Sequence, residues 1–227
     1  DLSHAYYILL DGTYFHKDGC LALLMDTANR RLLDYWYISR ESYENVYPRL
    51  LELKEKGLYP KAITLDGHKK VTTAFMAAWP DLLVQRCLFH IENQGLMWIR
   101  RYPKSESGRY LRLVLKTVTS IKLKADKERF LSIYRAWQNR FGTLEPLENS
   151  IANKDLKRTG SLIQNALPNM FHFIKDPRIA STTNLLESFY SQVKHQYRNH
   201  RGLSHHHKVS FLYWYCYYKN VQNSNIL

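Results

Sequence analysis

Two short stretches of the sequence, LLDGTYF at residues 9–15 and TLDGHKK at residues 64–70, decide how we interpret the fold. In each stretch an apolar run leads into Leu-Asp-Gly, a pattern that is typical of a β-strand followed by a turn. We therefore place Asp11 and Asp66 at the carboxyl ends of two strands, where open α/β sheets bind their ligands. If these strands are neighbours, their carboxylates converge, and converging carboxylates repel each other unless a cation lies between them.

A purely structural interpretation of the two aspartates stays open. Asp-Gly is a common turn pair, and Asp66 also stands where it would cap the helix that follows. Because the strand-Asp-Gly pattern occurs twice, we favour a shared site for Mg²⁺, which binds to one or two carboxylates together with water and phosphate oxygens.

Around these stretches, the apolar pattern predicts an α/β domain. Residues 6–10, 20–26 and 32–38 predict an antiparallel meander, and residues 62–65 and 82–85 predict two more short strands. Helical spacing over residues 41–56 predicts a crossover helix, so the strand at residues 62–65 should lie parallel to one of the first three. Pro48 means that this helix is either kinked or begins late.

The middle of the chain has a helical pattern from about residue 108 to residue 175. Asp126 is expected to cap a helix that runs to Gly142, and an apolar stripe precedes it, formed by Leu111, Val114, Leu115, Val118 and Ile121. We therefore expect three segments: residues 1–104, the first part of the sheet core; residues 105–178, a helical insertion; and residues 179–227, the C-terminal helices of the core.

Glu187 lies near the start of a predicted helix over residues 184–200. It shares one face of that helix with Lys194, Arg198 and Arg201, while the opposite face is apolar. A carboxylate in the first turn, followed by basic residues, would complete a metal site while the helix follows a phosphate backbone. The alternative is that Asn184 and Glu187, which have the spacing of a capping box, only cap the helix.

Charge is distributed unevenly along the chain. The net charge is +13; residues 1–66 carry 8 Lys/Arg and 10 Asp/Glu, for a net of −2, and residues 67–227 carry 25 and 10, for a net of +15. This asymmetry suits a protein that neutralises phosphates with one surface and gathers carboxylates elsewhere. The alternative is a solvated basic surface that aids solubility.

The cysteines and the apolar runs bear on location. Cys20, Cys87 and Cys216 are odd in number and far apart, which favours a reducing compartment over a disulfide framework. The longest apolar run, residues 209–218, is half as long as the roughly 20 residues that a membrane helix needs. We expect a cytoplasmic, nucleoid-associated protein without a membrane segment, and, because the chain opens at Asp1, further residues upstream.

Several blocks of the sequence resemble, in family order, the DDE transposases of bacterial insertion sequences in the Mutator-like superfamily. The blocks are LDGTYF at 10–15, ITLDGHKKV at 63–71, QRCLFH at 85–90, TTNLLESFYSQVK at 182–194, RNHRGLS at 198–204 and FLYWYCYY at 211–218. The resemblance therefore extends over nearly the whole chain. It implies an RNase H-like mixed sheet flanked by helices, with the helical insertion placed before the last catalytic helix.

The resemblance also implies the chemistry. Asp11, Asp66 and Glu187 would be the catalytic triad, holding two Mg²⁺ or Mn²⁺ ions for cleavage at transposon ends and strand transfer to target DNA. The partners would be these DNAs and, in the active complex, a second or further copy of the chain. Phosphates would be positioned by His68, Lys69, Lys70, Lys194, Arg198 and Arg201.

Cys87 and His90 match a C-x-x-H element of the same family. Two ligands make an incomplete zinc site, so we prefer a packing or positioning role for them over metal binding. Two rival functions remain open: a catalytically silent DNA-binding module derived from a transposase, and an RNase H-like nuclease that cleaves without joining.

Overall fold

One mixed sheet of five strands lies in the part of the chain that the computed structural model describes, which is residues 2–15, 18–142, 151–200 and 202–224. The strands are β1 (Tyr7–Tyr14), β2 (Cys20–Asp26), β3 (Leu32–Ile38), β4 (Ala62–Leu65) and β5 (Leu83–Arg86). Their order across the sheet is β3-β2-β1-β4-β5. β1, β2 and β3 form an antiparallel meander, and β4 pairs with β1 in parallel, so both predictions are confirmed.

The helices divide between two compact units. The first unit comprises Asp1–Gln85 and Pro177–Leu227, and the second comprises Arg86–Asp176. Helices of the first unit are α1 (Tyr43–Glu55), α2 (Lys69–Ala78), α8 (Asn184–Arg198) and α9 (His205–Ser224). Those of the second are α3 (Leu88–Ile99), α4 (Glu106–Leu115), α5 (Lys124–Phe141), α6 (Ile151–Ala166) and α7 (His172–Lys175). The three sequence segments expected above remain a prediction.

Side chains alternate along β1 and give the sheet two different covered faces. Ile8 and Leu10 belong to a core shared with α1 and α2. Leu9 belongs to a second core, shared with α8 and α9. Every residue of β2 is buried, as expected for a strand covered on both faces. The first unit is thus a mixed α/β sheet flanked by helices, as the sequence predicts.

Helix α1 begins at Tyr43, so the late start that Pro48 allowed is not observed. Ser42 is the N-cap, and its hydroxyl accepts a hydrogen bond from the backbone N–H of Asn45. Pro48 lies inside the helix. Among the described residues, no helix combines the length and the apolar character that crossing a membrane requires.

The second unit, taken by itself, is helical: its described residues from Cys87 to Asp176 contain helices and turns but no strand. All five residues of the predicted apolar stripe are buried, although α4 ends at Leu115 and the last two lie in the turns that follow. Asp126 caps α5 from its third position, where its carboxylate accepts hydrogen bonds from the backbone N–H groups of Lys122 and Leu123.

Candidate metal centre

Asp11 lies inside a strand rather than at its end, so this part of the prediction is wrong. It is the fifth of the eight residues of β1 and lies opposite Leu23 of β2. Antiparallel pairing with β2 carries the strand past the Asp-Gly pair, which local sequence alone presents as a turn. Asp11 is only 6% exposed, and its Oδ1 accepts a hydrogen bond of 2.9 Å from the backbone N–H of Gly12.

Asp66 comes directly after β4, the parallel neighbour of β1, at the position equivalent to that of Asp11. Leu9 is paired with Thr64, so two residues further along each chain bring Asp11 and Asp66 side by side. β4 ends one residue before Asp66, so Asp66 itself lies just outside the strand. The Asp66 Oδ1 accepts a 2.8 Å hydrogen bond from the backbone N–H of His68, which is itself the N-cap of α2. Asp66 therefore forms a local turn before the helix and is not its N-cap.

Glu187 is brought to Asp11 by α8. A carboxylate oxygen of Glu187 lies within 4.8 Å of one of Asp11, although the two residues are far apart in the sequence. The N-cap of α8 is Thr183, so Glu187 is the fourth residue of the helix. The capping box expected from Asn184 and Glu187 would require Glu187 to be the third, so that alternative is wrong.

Tyr190 joins α8 to the strand that carries Asp11. Its buried hydroxyl lies 2.5 Å from the carbonyl oxygen of Asp11 and 3.1 Å from that of Leu21, and its single proton is shared between these two acceptors. Burial raises the pKa of Tyr190, and the nearby Asp11 carboxylate raises it further, so the hydroxyl keeps its proton. Since Tyr190 lies three residues after Glu187, this contact sets the position of Glu187 relative to Asp11.

Glu41 is a further carboxylate near this region that the sequence analysis missed. A Cβ atom on Gly12 would lie 2.7 Å from Oε1 of Glu41 and 2.8 Å from Sγ of Cys20, so only glycine fits there without displacement. Burial raises the pKa of Cys20, and the charges of Glu41, Asp11 and Asp66 raise it further. The Glu41, Asp11 and Asp66 carboxylates are thus all close enough to Cys20 to act on its thiol.

Basic side chains lie on the same elements as the acids. Lys194 is half-buried and lies two helical turns after Glu187. Its positive charge partly opposes the rise in the pKa of the Cys20 thiol. Its Nζ lies 6.0 Å from the ring centre of Phe15. The other predicted phosphate contacts that the structure describes are exposed: His68, Lys69, Lys70 and Arg198. Arg201 lies outside the described residues.

Cys87 and His90 belong to the second unit. Cys87 is fully buried and is the N-cap residue of α3, without a hydrogen bond from its side chain to the helix end. His90 is half-buried, and its ring meets that of Phe89 edge to face at 5.8 Å. Their packing or positioning role remains a prediction.

The three predicted acids supply oxygen ligands only, the donor type that Mg²⁺ and Mn²⁺ prefer. Two carboxylates held within 4.8 Å of each other by a buried strand and a helix would repel unless a cation lay between them. The residues present therefore fit a divalent metal with hard ligands. A mixed α/β sheet that presents such acids beside exposed cations is suited to chemistry on phosphate esters.

Comparison with known protein families gives the class of protein. Residues 20–208 match the family described as Transposase, Mutator family, and this match covers more than half of the chain. The chain therefore belongs to the Mutator family of transposases, which are enzymes that act on DNA, and the family predicted from the sequence is confirmed. The matched region contains Asp66 and Glu187 and begins after Asp11. A comparison with curated proteins finds no match.

Proposed function

We propose that this chain is the catalytic core of a DDE-type transposase, built on an RNase H-like sheet, with Asp11, Asp66 and Glu187 as its triad. It would cleave one strand at a transposon end and join the freed 3′-OH to target DNA. The observation that carries the proposal is the approach of the Asp11 and Glu187 carboxylates to within 4.8 Å. Membership of the Mutator family supports it.

The three carboxylates would hold two Mg²⁺ or Mn²⁺ ions, with Asp11 shared between them and Asp66 and Glu187 each holding one. Bound there, the ions would activate a water molecule and later the 3′-OH, and would stabilise charge on the phosphoryl oxygens. Asp11 suits the shared position because it lies on the central strand of the sheet, beside Asp66 in the register of β1 and β4 and within 4.8 Å of Glu187.

Side chains around the triad would do the remaining work. Tyr190 holds Glu187 in register with Asp11, and the apolar core beneath β1 keeps water from the back of the site. The DNA backbone would be bound by His68, Lys69, Lys70, Lys194, Arg198 and Arg201. Basic side chains of these kinds position phosphates without reading the base sequence.

Transposition joins two transposon ends to one target, so we propose that the active complex contains two or more copies of the chain. We also propose that it works in the cytoplasm, associated with the nucleoid. The three cysteines are free and buried, which is compatible with a reducing compartment. Sedimentation of the chain with and without end DNA tests the oligomer: a mass of one copy in the active complex would contradict it.

The first test is a cleavage and strand-transfer assay with Mg²⁺ or Mn²⁺, on DNA that carries the ends of the element. We expect Asp66→Asn to lose activity by at least about a hundredfold, because a neutral amide binds a divalent cation far more weakly than a carboxylate. Asp81→Asn is the matched control, since Asp81 is an exposed aspartate just after α2, and it should retain wild-type activity.

Each rival function predicts a different result in this assay. Equal activity in Asp66→Asn and wild type would contradict the catalytic assignment. Metal-dependent nicking without any strand transfer would favour the nuclease that only cleaves. DNA binding by the wild-type chain without either reaction would favour the silent binding module.

A further inference from the structure

Helix α9 is anchored firmly on its inner side. Leu212 and Cys216 are fully buried in the core beneath the sheet. The side-chain amide of Asn220 accepts from the backbone N–H of Leu32 and donates to its carbonyl, at 2.9 and 3.0 Å. About two turns earlier in α9, the hydroxyl of Tyr213 accepts a hydrogen bond from the backbone N–H of Tyr37, so α9 shields the edge of β3 along its length.

The outer side of the same helix is aromatic and exposed. Trp214 is 58% exposed, Tyr217 49% and Tyr218 58%, and Val221 continues the row at 40%. The rings contact each other: Trp214 is stacked on Tyr218 with ring centres 5.6 Å apart, and it meets Tyr217 edge to face at 5.8 Å. We call these four residues the α9 stripe. These rings are exposed to water, so packing within the protein does not account for them. An exposed row of large aromatic rings of this kind marks a binding surface.

A shallow groove of about 300 Å³ adjoins the α9 stripe. Lys219 stands at this groove, with its Nζ 6.0 Å from the ring centre of Tyr215. The groove is lined by Phe211, Trp214, Tyr215, Tyr218, Lys219 and Gln222. Flat rings beside a cation are the combination that binds unpaired nucleotides, because the rings stack on bases while the cation pairs with phosphate.

Charge around the α9 stripe favours an anionic partner. After Glu187 the sequence contains no Asp or Glu, whereas residues 188–227 contain five Lys/Arg: Lys194, Arg198, Arg201, Lys208 and Lys219. Lys208 is occupied by an ion pair with Asp18, which leaves Lys219 as the lysine of the groove. A second copy of this acid-free helix would bring like charges together, while a phosphate backbone is complementary to it.

We propose that the α9 stripe is a stacking platform for the unpaired bases of single-stranded DNA. Duplex DNA hides the faces of its bases, so the platform would act on strands that are open or frayed. None of the three acids belongs to the α9 stripe, and stacking on bases needs no metal ion. The proposal therefore stands or falls independently of the catalytic one.

Fluorescence anisotropy of a labelled oligothymidine of about 20 nucleotides, titrated with the whole chain in EDTA, tests the proposal. We expect Trp214→Ala and Tyr218→Ala each to weaken binding of the oligothymidine by about fivefold or more. The affinity for a duplex of equal length should fall much less. Trp214→Phe should retain most of the affinity, because phenylalanine keeps a ring. Tyr59→Ala is the matched control: Tyr59 is also 58% exposed and lies in the same unit, between α1 and β4 rather than in α9.

Unchanged single-strand affinity in Trp214→Ala and Tyr218→Ala would overturn the proposal. So would an unchanged affinity combined with dissociation of a dimer in sedimentation, since the stripe would then pair two copies of the chain. If Trp214→Ala and Tyr218→Ala lost binding only to anionic lipid vesicles, the partner of the stripe would be a membrane surface and the proposal would likewise be overturned. Asp66→Asn should bind the oligonucleotide like wild type, which separates this result from any failure of the catalytic proposal.

Discussion

Tyr190 shows how much of the candidate site depends on a single buried hydroxyl. Its two hydrogen bonds end on main-chain carbonyl oxygens of β1 and β2, those of Asp11 and Leu21, rather than on a carboxylate oxygen of the proposed metal site. Glu187 belongs to the same helix, three residues away, so the distance between the two carboxylates depends on where this hydroxyl holds α8. We therefore class Tyr190 as a positioning residue.

Replacing Tyr190 with phenylalanine should keep the ring packing and remove only these hydrogen bonds. We expect a loss of about 1–2 kcal/mol in the free energy of unfolding, because two buried carbonyl groups lose a partner. Metal-dependent turnover should fall, while binding of DNA measured in EDTA should stay unchanged. Urea denaturation and the cleavage assay measure the two effects, and Tyr59→Phe, at an exposed tyrosine, is the control.

A variant with wild-type turnover and reduced stability would show that Tyr190 only supports the fold. Rescue offers a second check, since a higher Mn²⁺ concentration should restore part of the lost turnover if the carboxylates are merely displaced.

At the scale of elements, regular patterns within one segment were predictable, and features set by distant partners were not. The meander and the parallel β4 follow from apolar runs and a helical crossover, all of which are local. The extension of β1 past Asp11 depends on pairing with β2, which the Asp-Gly pair conceals. Similarly, burial continues through Val118 beyond the end of α4, because turns as well as helices cover the core.

The same distinction holds for the site. Asp11 and Asp66 became candidates because one motif occurs twice, and Glu187 because the surrounding residues resemble a known family. The role of Tyr190 was not predictable, since nothing near it in the sequence identifies its hydrogen-bond partners. Glu41 was missed because its approach to Gly12 is a contact between a loop and a strand.

Helix α7 makes the stability of the second unit depend on pH. Burial lowers the pKa of His172 below its usual value, and the positive charges of Lys175 and Lys127 lower it further. The folded chain therefore binds this proton more weakly than the unfolded chain does. The contribution of His172 to stability is complete above the unfolded pKa of about 6.5 and declines as the pH falls towards the folded pKa.

We expect His172→Gln to lose less stability than wild type when the pH is lowered from about 7.5 to about 5.5. Urea denaturation at the two pH values measures the difference. His206→Gln, at an exposed histidine of α9, should behave like wild type. An equal loss in His172→Gln and wild type would contradict this assignment.

At the scale of the whole molecule, a net charge of +13 predicts that binding to duplex DNA weakens steeply with salt. The logarithm of the affinity should fall linearly with the logarithm of salt concentration, with a slope near −0.9 for each phosphate neutralised. Lys194→Ala should reduce this slope by about one phosphate contact. Lys56→Ala removes the same charge from the end of α1 and should leave the slope unchanged; equal slopes in both variants would contradict a contact at Lys194.

Binding of Mn²⁺ tests the central claim most directly, because it asks whether the carboxylates of β1 and α8 form one cation site. The electron paramagnetic resonance signal of free Mn²⁺ is measured as the chain is titrated, without DNA. We expect Asp11→Asn and Glu187→Gln each to bind Mn²⁺ at least about tenfold more weakly than wild type, and Asp81→Asn to bind equally. Wild-type affinity in folded Asp11→Asn and Glu187→Gln would contradict the account.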